Sequence, residues 1–352
     1  MKTYKNLYQK VCSFDNLISA FKKARKGKSK KDYVINFESG LQKNLKCLQN
    51  DLMNKNYSPY PLKKFIIRDP KTRTIHASVF RDRIIHHAII NILNPIYEKI
   101  FIYDSFASRK NKGTHNAINR FESFIKKVSS NGRLIKNSFN NNSIQGYVLK
   151  ADFRHYFNSV NHKVLISILK KKIDDRNLIN LIEIVLGNFE SSKGIGMPLG
   201  NYTSQFFANV YLNELDYYVK HILKVKYYIR YVDDFVMLHK NKKRLRYFLR
   251  HINNFLPCLK IKLHTEKTEI YALRNGITFL GYRIFYHYRL LRKRNIKFFV
   301  KRLEKNVFLY NNKEISEEQF ESRINGWLGY AKYGNTFNLI KKTFSNQNDI
   351  FM

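Results

Sequence analysis

Three aspartates carry the chemistry this sequence offers. Asp233 and Asp234 are adjacent in Tyr227–Leu238, which reads Tyr-Tyr-Ile-Arg-Tyr-Val-Asp-Asp-Phe-Val-Met-Leu. The aromatic and β-branched residues on both sides favour strands, and the acidic pair falls where a hairpin would turn. Asp152 ends a similar run, Tyr147–Phe153. An isolated Asp-Asp is an ordinary turn. In this chain the apolar run continues on both sides, which sets the turn deep. Adjacent buried carboxylates are costly unless cations neutralise them, and hard divalent cations prefer carboxylate oxygens. Three carboxylates on adjacent strands can hold two divalent ions roughly 3.5–4 Å apart. One ion would activate an attacking oxygen, and the other would steady a leaving pyrophosphate. The expected metal site is therefore Asp152, Asp233 and Asp234 around two Mg²⁺ ions, with Mn²⁺ able to substitute. The expected reaction is in-line nucleotidyl transfer.

Other residues fit around that core. Residues 62–80 read as a hairpin with strands Phe65–Ile67 and Thr74–Phe80 and a turn at Asp69-Pro70-Lys71-Thr72. Lys71 and Arg73 sit at or beside its tip, and with Arg109 they could neutralise a triphosphate. Phe153 follows Asp152 directly, and Phe157 lies five residues beyond Asp152. Phe157 could floor a sugar pocket and clash with a 2′-hydroxyl, selecting deoxynucleotides. Lys267 is a candidate to protonate the leaving group. His86 and His87 read as core or surface residues, because no third ligand stands at motif spacing.

The elements that must position these residues alternate between helices and short strands. The chain has 352 residues, enough for two or three subdomains. Residues 1–60 read as helices, with apolar faces at Leu17, Ile18, Phe21 and Ala24 and at Leu41, Leu45, Leu48 and Leu52. A helix follows Arg81-Asp82-Arg83, and another carries Ala117 to Ile125. Residues 129–146 form an Asn/Ser/Gly-rich loop, and residues 163–189 hold two helical segments. A glycine-punctuated stretch, Gly194–Asn201, opens a long helix with Thr203 as the expected N-cap. Its apolar stripe runs from Phe207 to Ile222. Residues 242–256 read as a basic helix. Lys260–Tyr271 and Thr278–Phe285 read as strands, and a helical tail starts at Leu290. In that tail Ile296, Phe299, Val300 and Leu303 make a buried stripe. Arg292, Lys293, Arg294, Lys297, Lys301, Arg302 and Lys305 crowd the rest against one acid, Glu304. A cationic face of this kind suits a duplex backbone.

Composition supports a polyanionic partner. Lys plus Arg number 65 against 26 Asp plus Glu, a formal charge of +39, and nucleic acid is the first candidate. Binding should then weaken steeply with salt. Coding bias towards Lys, Asn and Ile inflates the total but does not arrange the cations in stripes. Cys12, Cys47 and Cys258 are far apart, without metal-ligand spacing, which argues for a reducing compartment. No apolar run approaches the ~18 residues of a membrane span. The protein is expected to be cytoplasmic, with no membrane partner.

Tyr231-Val232-Asp233-Asp234 resembles the Tyr-x-Asp-Asp motif of reverse transcriptases. The resemblance covers most of the chain in the family's order. Arg81–Arg83 and Ser105–Ala117 with Arg109 look like finger motifs. Asp152 with Phe157 looks like the first palm motif. Lys267 and Phe279–Tyr282 look like later palm motifs, Tyr282 belonging to a primer grip. Residues 290–345 are similar to a helical thumb. The resemblance implies an α+β right-hand polymerase: an antiparallel palm sheet packed on helices, with fingers and a helical thumb. Its segments would be an N-terminal helical extension (1–60), fingers (61–146), palm (147–288, with finger-associated helices 163–189) and thumb (289–352). Arg292, Lys293, Arg294, Lys297, Lys301 and Tyr282 would contact nucleic acid.

Leu199-Gly200-Asn201-Tyr202-Thr203-Ser204-Gln205 departs from the Gln-Gly and Ser-Pro of most bacterial reverse transcriptases. It looks like the form in diversity-generating retroelements. Leu199 and Gly200 would lie beside the incoming dNTP, and Leu199, unlike a Gln, would lack the polar contact that tests the base pair, lowering fidelity. The resemblance implies error-prone copying of a template-repeat RNA at its adenines, an RNA/cDNA duplex product and a basic, oligomeric accessory variability determinant protein. The host would be a bacterial, archaeal or phage-infected cell. The alternatives are a related bacterial reverse transcriptase acting in antiphage defence and a catalytically silent RNA-binding protein on the same fold.

Overall fold

The computed structural model describes residues 2–68 and 72–345. Four helices open the chain: α1 (Leu7–Cys12), α2 (Phe14–Arg25), α3 (Asp32–Glu38) and α4 (Leu41–Met53). The Ser13 side chain caps α2 by accepting from the Asn16 amide, satisfying one of the helix's open donors. Leu17, Ala20, Phe21 and Ala24 recur at helical spacing and are buried. Ile18, expected on that face, is only half-buried. Strands β1 (Lys63–Ile67) and β2 (Arg73–Ala77) form an antiparallel hairpin with Phe65 opposite Ile75. Its second strand stops before Phe80, because Phe80 already begins helix α5 (Phe80–Tyr97). The expected turn residue Lys71 lies outside the described residues.

The chain continues with α6 (Thr114–Val128), β3 (Tyr147–Asp152), α7 (Tyr156–Ser159), α8 (His162–Lys170), α9 (Arg176–Gly187) and α10 (Tyr202–Tyr217). Asn161 and Asp175 cap α8 and α9 by accepting from the amides of Val164 and Leu178. Thr203 does not cap α10. Asn201 holds that position, and Thr203 is buried with its hydroxyl 3.4 Å from His86 Nδ1. After α10 the backbone widens into a π-helical turn, Tyr218–Ile222. The turn shifts the phase of the stripe, so Ile222, expected to be buried, is exposed.

Next come β4 (Tyr228–Tyr231), β5 (Asp234–His239), α11 (Lys242–Phe255), β6 (Glu269–Ala272), β7 (Ile277–Phe279), β8 (Tyr282–Ile284) and β9 (Arg289–Leu291). The last helices are α12 (Lys293–Asn311), α13 (Glu317–Ala331) and α14 (Phe337–Ser345). One sheet has the order β4-β5-β3-β6, with β3 antiparallel to β6 and Tyr147 opposite Ala272. The other is β7-β8-β9, antiparallel throughout. Two expected stretches differ. Of Lys260–Tyr271 only the end is strand, since residues 265–267 form a 3₁₀ turn. The tail is not helical from Leu290, because Arg289–Leu291 pairs with β8 before α12 starts.

By packing, the chain divides into two compact units. The first comprises Met1–Gly113, Ala151–Phe235 and Tyr247–Thr268. Its core joins α2 to α5, α5 to α10 and α8 to α9, with Leu17, Ile85, Leu169, Ile182, Phe207 and Tyr211 buried. The second comprises Thr114–Lys150, Val236–Arg246 and Glu269–Met352. In it Phe121 packs on Phe279, ring centroids 5.1 Å apart. Farther along, Phe299 of α12 stacks on Trp327 of α13 at 3.6 Å, beside Leu303, Phe320 and Ile324. Each unit draws on segments that are not consecutive in the chain.

Candidate active site

The sheet order delivers the aspartates. Asp152 ends β3, and Val232 and Asp233 make the turn between β4 and β5. Because β5 neighbours β3, the end of one meets the start of the other: the Phe153 amide lies 3.4 Å from the Asp233 carbonyl and donates to it. On the other flank the His264 amide donates to the Asp152 carbonyl at 2.8 Å, and the Arg154 amide donates to that of Lys262 at 3.0 Å. The 3₁₀ turn Thr265–Lys267 then brings Lys267 Nζ to 2.7 Å from Asp152 Oδ2. That hydrogen bond pushes the Lys267 ammonium up and keeps it charged, with Asp152, Asp234 and Asp233 adding in the same direction.

Asp233 reports the electrostatics. Burial, then the charges of Asp234 and Asp152, push its carboxyl up to about 6, while Arg73 pulls it down. Like charges brought together in a poorly hydrated place have this effect. The donor set suits a hard divalent cation: acidic oxygens, mutually repelling, with one carboxyl raised by desolvation. As the side chains stand, no three His, Cys, Asp or Glu groups among the described residues are gathered closely enough to enclose an ion. Asp152 is instead paired with Lys267.

The surrounding residues divide into those the fold brings to the aspartates and those it does not. Arg73, at the start of β2, is exposed and its charge is felt at Asp233. Phe157 is half-buried, and its carbonyl accepts from the Met197 amide at 2.7 Å, which ties it to the glycine-punctuated loop. In that loop the Leu199 carbonyl accepts from the His76 amide of β2 at 2.8 Å. Gly200 has φ +120°, and a Cβ there would come within 2.6 Å of Ile75 Cγ2, so only glycine lets the loop lie this close to β2. Phe153, in contrast, has its ring buried against Tyr156 and Phe235.

Two expected contacts need correction. Arg109 does not stand open to a triphosphate. Its guanidinium pairs with both Glu98 oxygens and donates to the carbonyls of Ile102 and Ser105, with only 6% of its side chain exposed. It braces its own loop. Tyr282 does not present a nucleic-acid contact. Its ring is fully buried and its hydroxyl donates to the Tyr330 carbonyl at 2.7 Å. Arg292, at the N-cap of α12, and Lys293, Arg294, Lys297 and Lys301 along it lie exposed, while Phe299 and Leu303 face inward.

The sequence reading missed Arg230, whose fully buried guanidinium is paired with Asp216 beneath the turn. The signal was there: an arginine inside an apolar strand run must have a buried partner.

With this geometry in hand, comparison with known proteins is decisive. The family profile described as "Reverse transcriptase (RNA-dependent DNA polymerase)" matches residues 63–284, more than half of the chain. The chain belongs to the reverse transcriptase family. This reverse transcriptase is 26% identical over 294 residues to Protein YkfC of Escherichia coli, a match covering 71% of this chain and 72% of that one. It is 27% identical over 225 residues to the Group II intron-encoded protein LtrA of Lactococcus lactis, covering 61% of this chain but 34% of LtrA. A telomerase structure from Candida albicans with a fragment of telomeric RNA aligns with TM-score 0.48 and 11% identity, over 73% of this chain and 52% of that one. The protein is thus an RNA-directed DNA polymerase of the group II intron and bacterial type, with an α+β reverse transcriptase fold of helices and antiparallel sheet. The fold implies binding of a nucleic-acid template, and reverse transcriptase domains are generally dependent on divalent metal. Among the described residues no helix is long and apolar enough to cross a membrane.

Proposed function

We propose that this reverse transcriptase is the error-prone polymerase of a diversity-generating retroelement, with Asp152, Asp233 and Asp234 holding its ions. The observation that carries the reading is Leu199-Gly200 laid against β2, the strand that begins at Arg73, and tied through Met197 to Phe157. On this reading Leu199 offers an aliphatic side chain in place of a polar one that could test the sugar and base pair, and lost polar contacts reduce discrimination. Divalent ions bound by the aspartates would supply Lewis-acid activation and neutralise developing charge. The chain's own residues do the rest. Arg73, with Lys71, neutralises the triphosphate. Phe157 excludes a 2′-hydroxyl. Lys267, released from Asp152, gives its proton to the leaving pyrophosphate. The α12 cations hold the duplex backbone. Residues 61–146 serve as fingers, 147–288 as palm and 289–352 as thumb. A template-repeat RNA, dNTPs and a basic accessory protein are the partners this reading requires.

The test is sequencing of cDNA made by the purified protein, with and without a neighbouring accessory protein, from the adjacent non-coding RNA. Errors concentrated at template adenines are expected. Leu199→Gln should lower their frequency about tenfold, the worth of one polar contact of ~1.4 kcal/mol. Uniformly faithful copying would reject the retroelement role and leave an intron-type or defence polymerase.

A further inference from the structure

Val232 has φ +55°, a left-handed conformation that is strained for a β-branched residue and persists only where the surroundings enforce it. It occupies the first position of a two-residue hairpin turn, where glycine is usual, and the second position is Asp233. Something must hold this turn. The Val232 carbonyl accepts from Arg230 Nη1 at 3.0 Å. The same Nη1 donates to Asn209 Oδ1 at 2.9 Å. Arg230 Nε and Nη2 grip Asp216 at 2.7–3.0 Å, and both side chains are completely buried. Tyr228 Oη donates to Asp216 Oδ1 at 2.7 Å, and Asn209 Nδ2 donates to the Ala107 carbonyl at 2.9 Å. The Arg230 backbone is fastened as well: its amide donates to the Asp104 carbonyl, and its carbonyl accepts from the Phe106 amide, both at 3.0 Å.

A buried ion pair contributes little net stability, since desolvation offsets most of the attraction. Its value lies in geometry, because a bidentate guanidinium cannot rotate without abandoning a buried charge. One donor of that fixed fork points at the turn. We propose that Arg230 is a positioning residue for nucleotidyl transfer: locked by Asp216 and Asn209, it holds the Val232 carbonyl and so keeps the left-handed turn that aims Asp233. The proposal rests on the reading of Asp233 as an ion ligand. It adds that the ligand's aim is set from α10, through a network that touches neither ion nor substrate. The strained valine is stable because the network over-determines it.

Primer extension by the full chain on an RNA template tests this, with single-turnover rate, Mg²⁺ dependence, duplex affinity and melting temperature measured for each variant. Arg230→Lys keeps a charge against Asp216 but loses the fork. It should slow incorporation about 10–100-fold and raise the Mg²⁺ needed, with duplex affinity unchanged, as expected for a misplaced reacting group. Adding Val232→Gly, which takes φ > 0 without steric cost, should restore about tenfold of that rate. A purely structural role would lower the melting temperature and activity together, and glycine would rescue neither. Should Arg230→Lys fail to fold, Asn209→Ser loosens the same Nη1 and should give a smaller loss with the same glycine rescue. Wild-type rates in both Arg230→Lys and Asn209→Ser, or a loss that Val232→Gly leaves untouched, would overturn the proposal. Full activity in Asp233→Asn would instead sink the underlying assignment of the ligand.

Discussion

The β1–β2 and β4–β5 hairpins are built from similar residues, aromatic and β-branched, yet they are held in opposite ways. Every residue of β1 is exposed, including Phe65, Ile66 and Ile67, and its described register rests on pairing with β2. In β4 and β5 all residues but those nearest the turn and the outer end are buried, and the turn is braced from beneath by Arg230. The difference is one of charge placement. A strand that carries Arg73 beside water can rely on solvation. A turn that carries Asp233 beside two other carboxylates must be fixed by groups that cannot move, or the carboxylates would splay apart.

The largest effect is expected at Asp233. Asp233→Asn should reduce polymerisation about a thousandfold or more, since metal-mediated stabilisation of several kcal/mol is lost. RNA binding by the same variant in a filter or fluorescence assay should stay intact. Retained activity would remove the chemical distinction between the two hairpins.

A smaller effect belongs to the outer hairpin. Arg73→Ala should raise the dNTP KM about tenfold, near the ~1.4 kcal/mol of a charged hydrogen bond, with little change in kcat. A fall in kcat alone would move Arg73 from triphosphate binding into the organisation of the aspartates.

The two hairpins should also differ in their response to pH. Asp233 is raised in the folded state, so its protonated form favours folding. That contribution is present below the ordinary aspartate range and is lost as pH rises through about 6. In metal-free buffer the melting temperature of the wild type should therefore fall relative to Asp233→Asn between pH 4 and 7. The difference should reach on the order of 1–3 kcal/mol. Protons compete with ions for the same carboxylate, so Mg²⁺ should bind more tightly as pH rises through this range. Parallel pH curves for the two proteins would show that Asp233 is not under electrostatic stress. The smallest effect is expected at Ile66→Thr on the exposed strand, within about 0.5 kcal/mol by denaturant unfolding. A larger loss would mean that β1 is covered in solution.

Local pattern made much of this readable. The strand runs around Tyr231-Val232-Asp233-Asp234 and the strand ending on Asp152 follow from neighbours in the chain and stand where they were expected, while the amphipathic tail helix is present but starts at Lys293, after a strand. The misreadings share another cause. Arg109 looked like a phosphate ligand because its partner Glu98 is reached only through a loop that folds back. Tyr282 looked like a surface grip because nothing nearby in sequence shows that α13 covers it. Thr203 looked like a cap because the helix start moved to Tyr202. In each case the role depended on who the neighbour is, not on what the residue is.

Sequence by itself determined that this chain offers three carboxylates, flanking strands and an excess of cations for a polyanion, because side-chain chemistry and short-range periodicity are written residue by residue. Tertiary structure alone decided that Asp216 of α10 locks Arg230 of β4, that Lys267 reaches Asp152, and that Gly200 lets its loop touch Ile75. Those contacts join residues far apart in the chain, and only burial makes them matter: away from water an unpaired charge or a misfitted Cβ is too costly to leave in place.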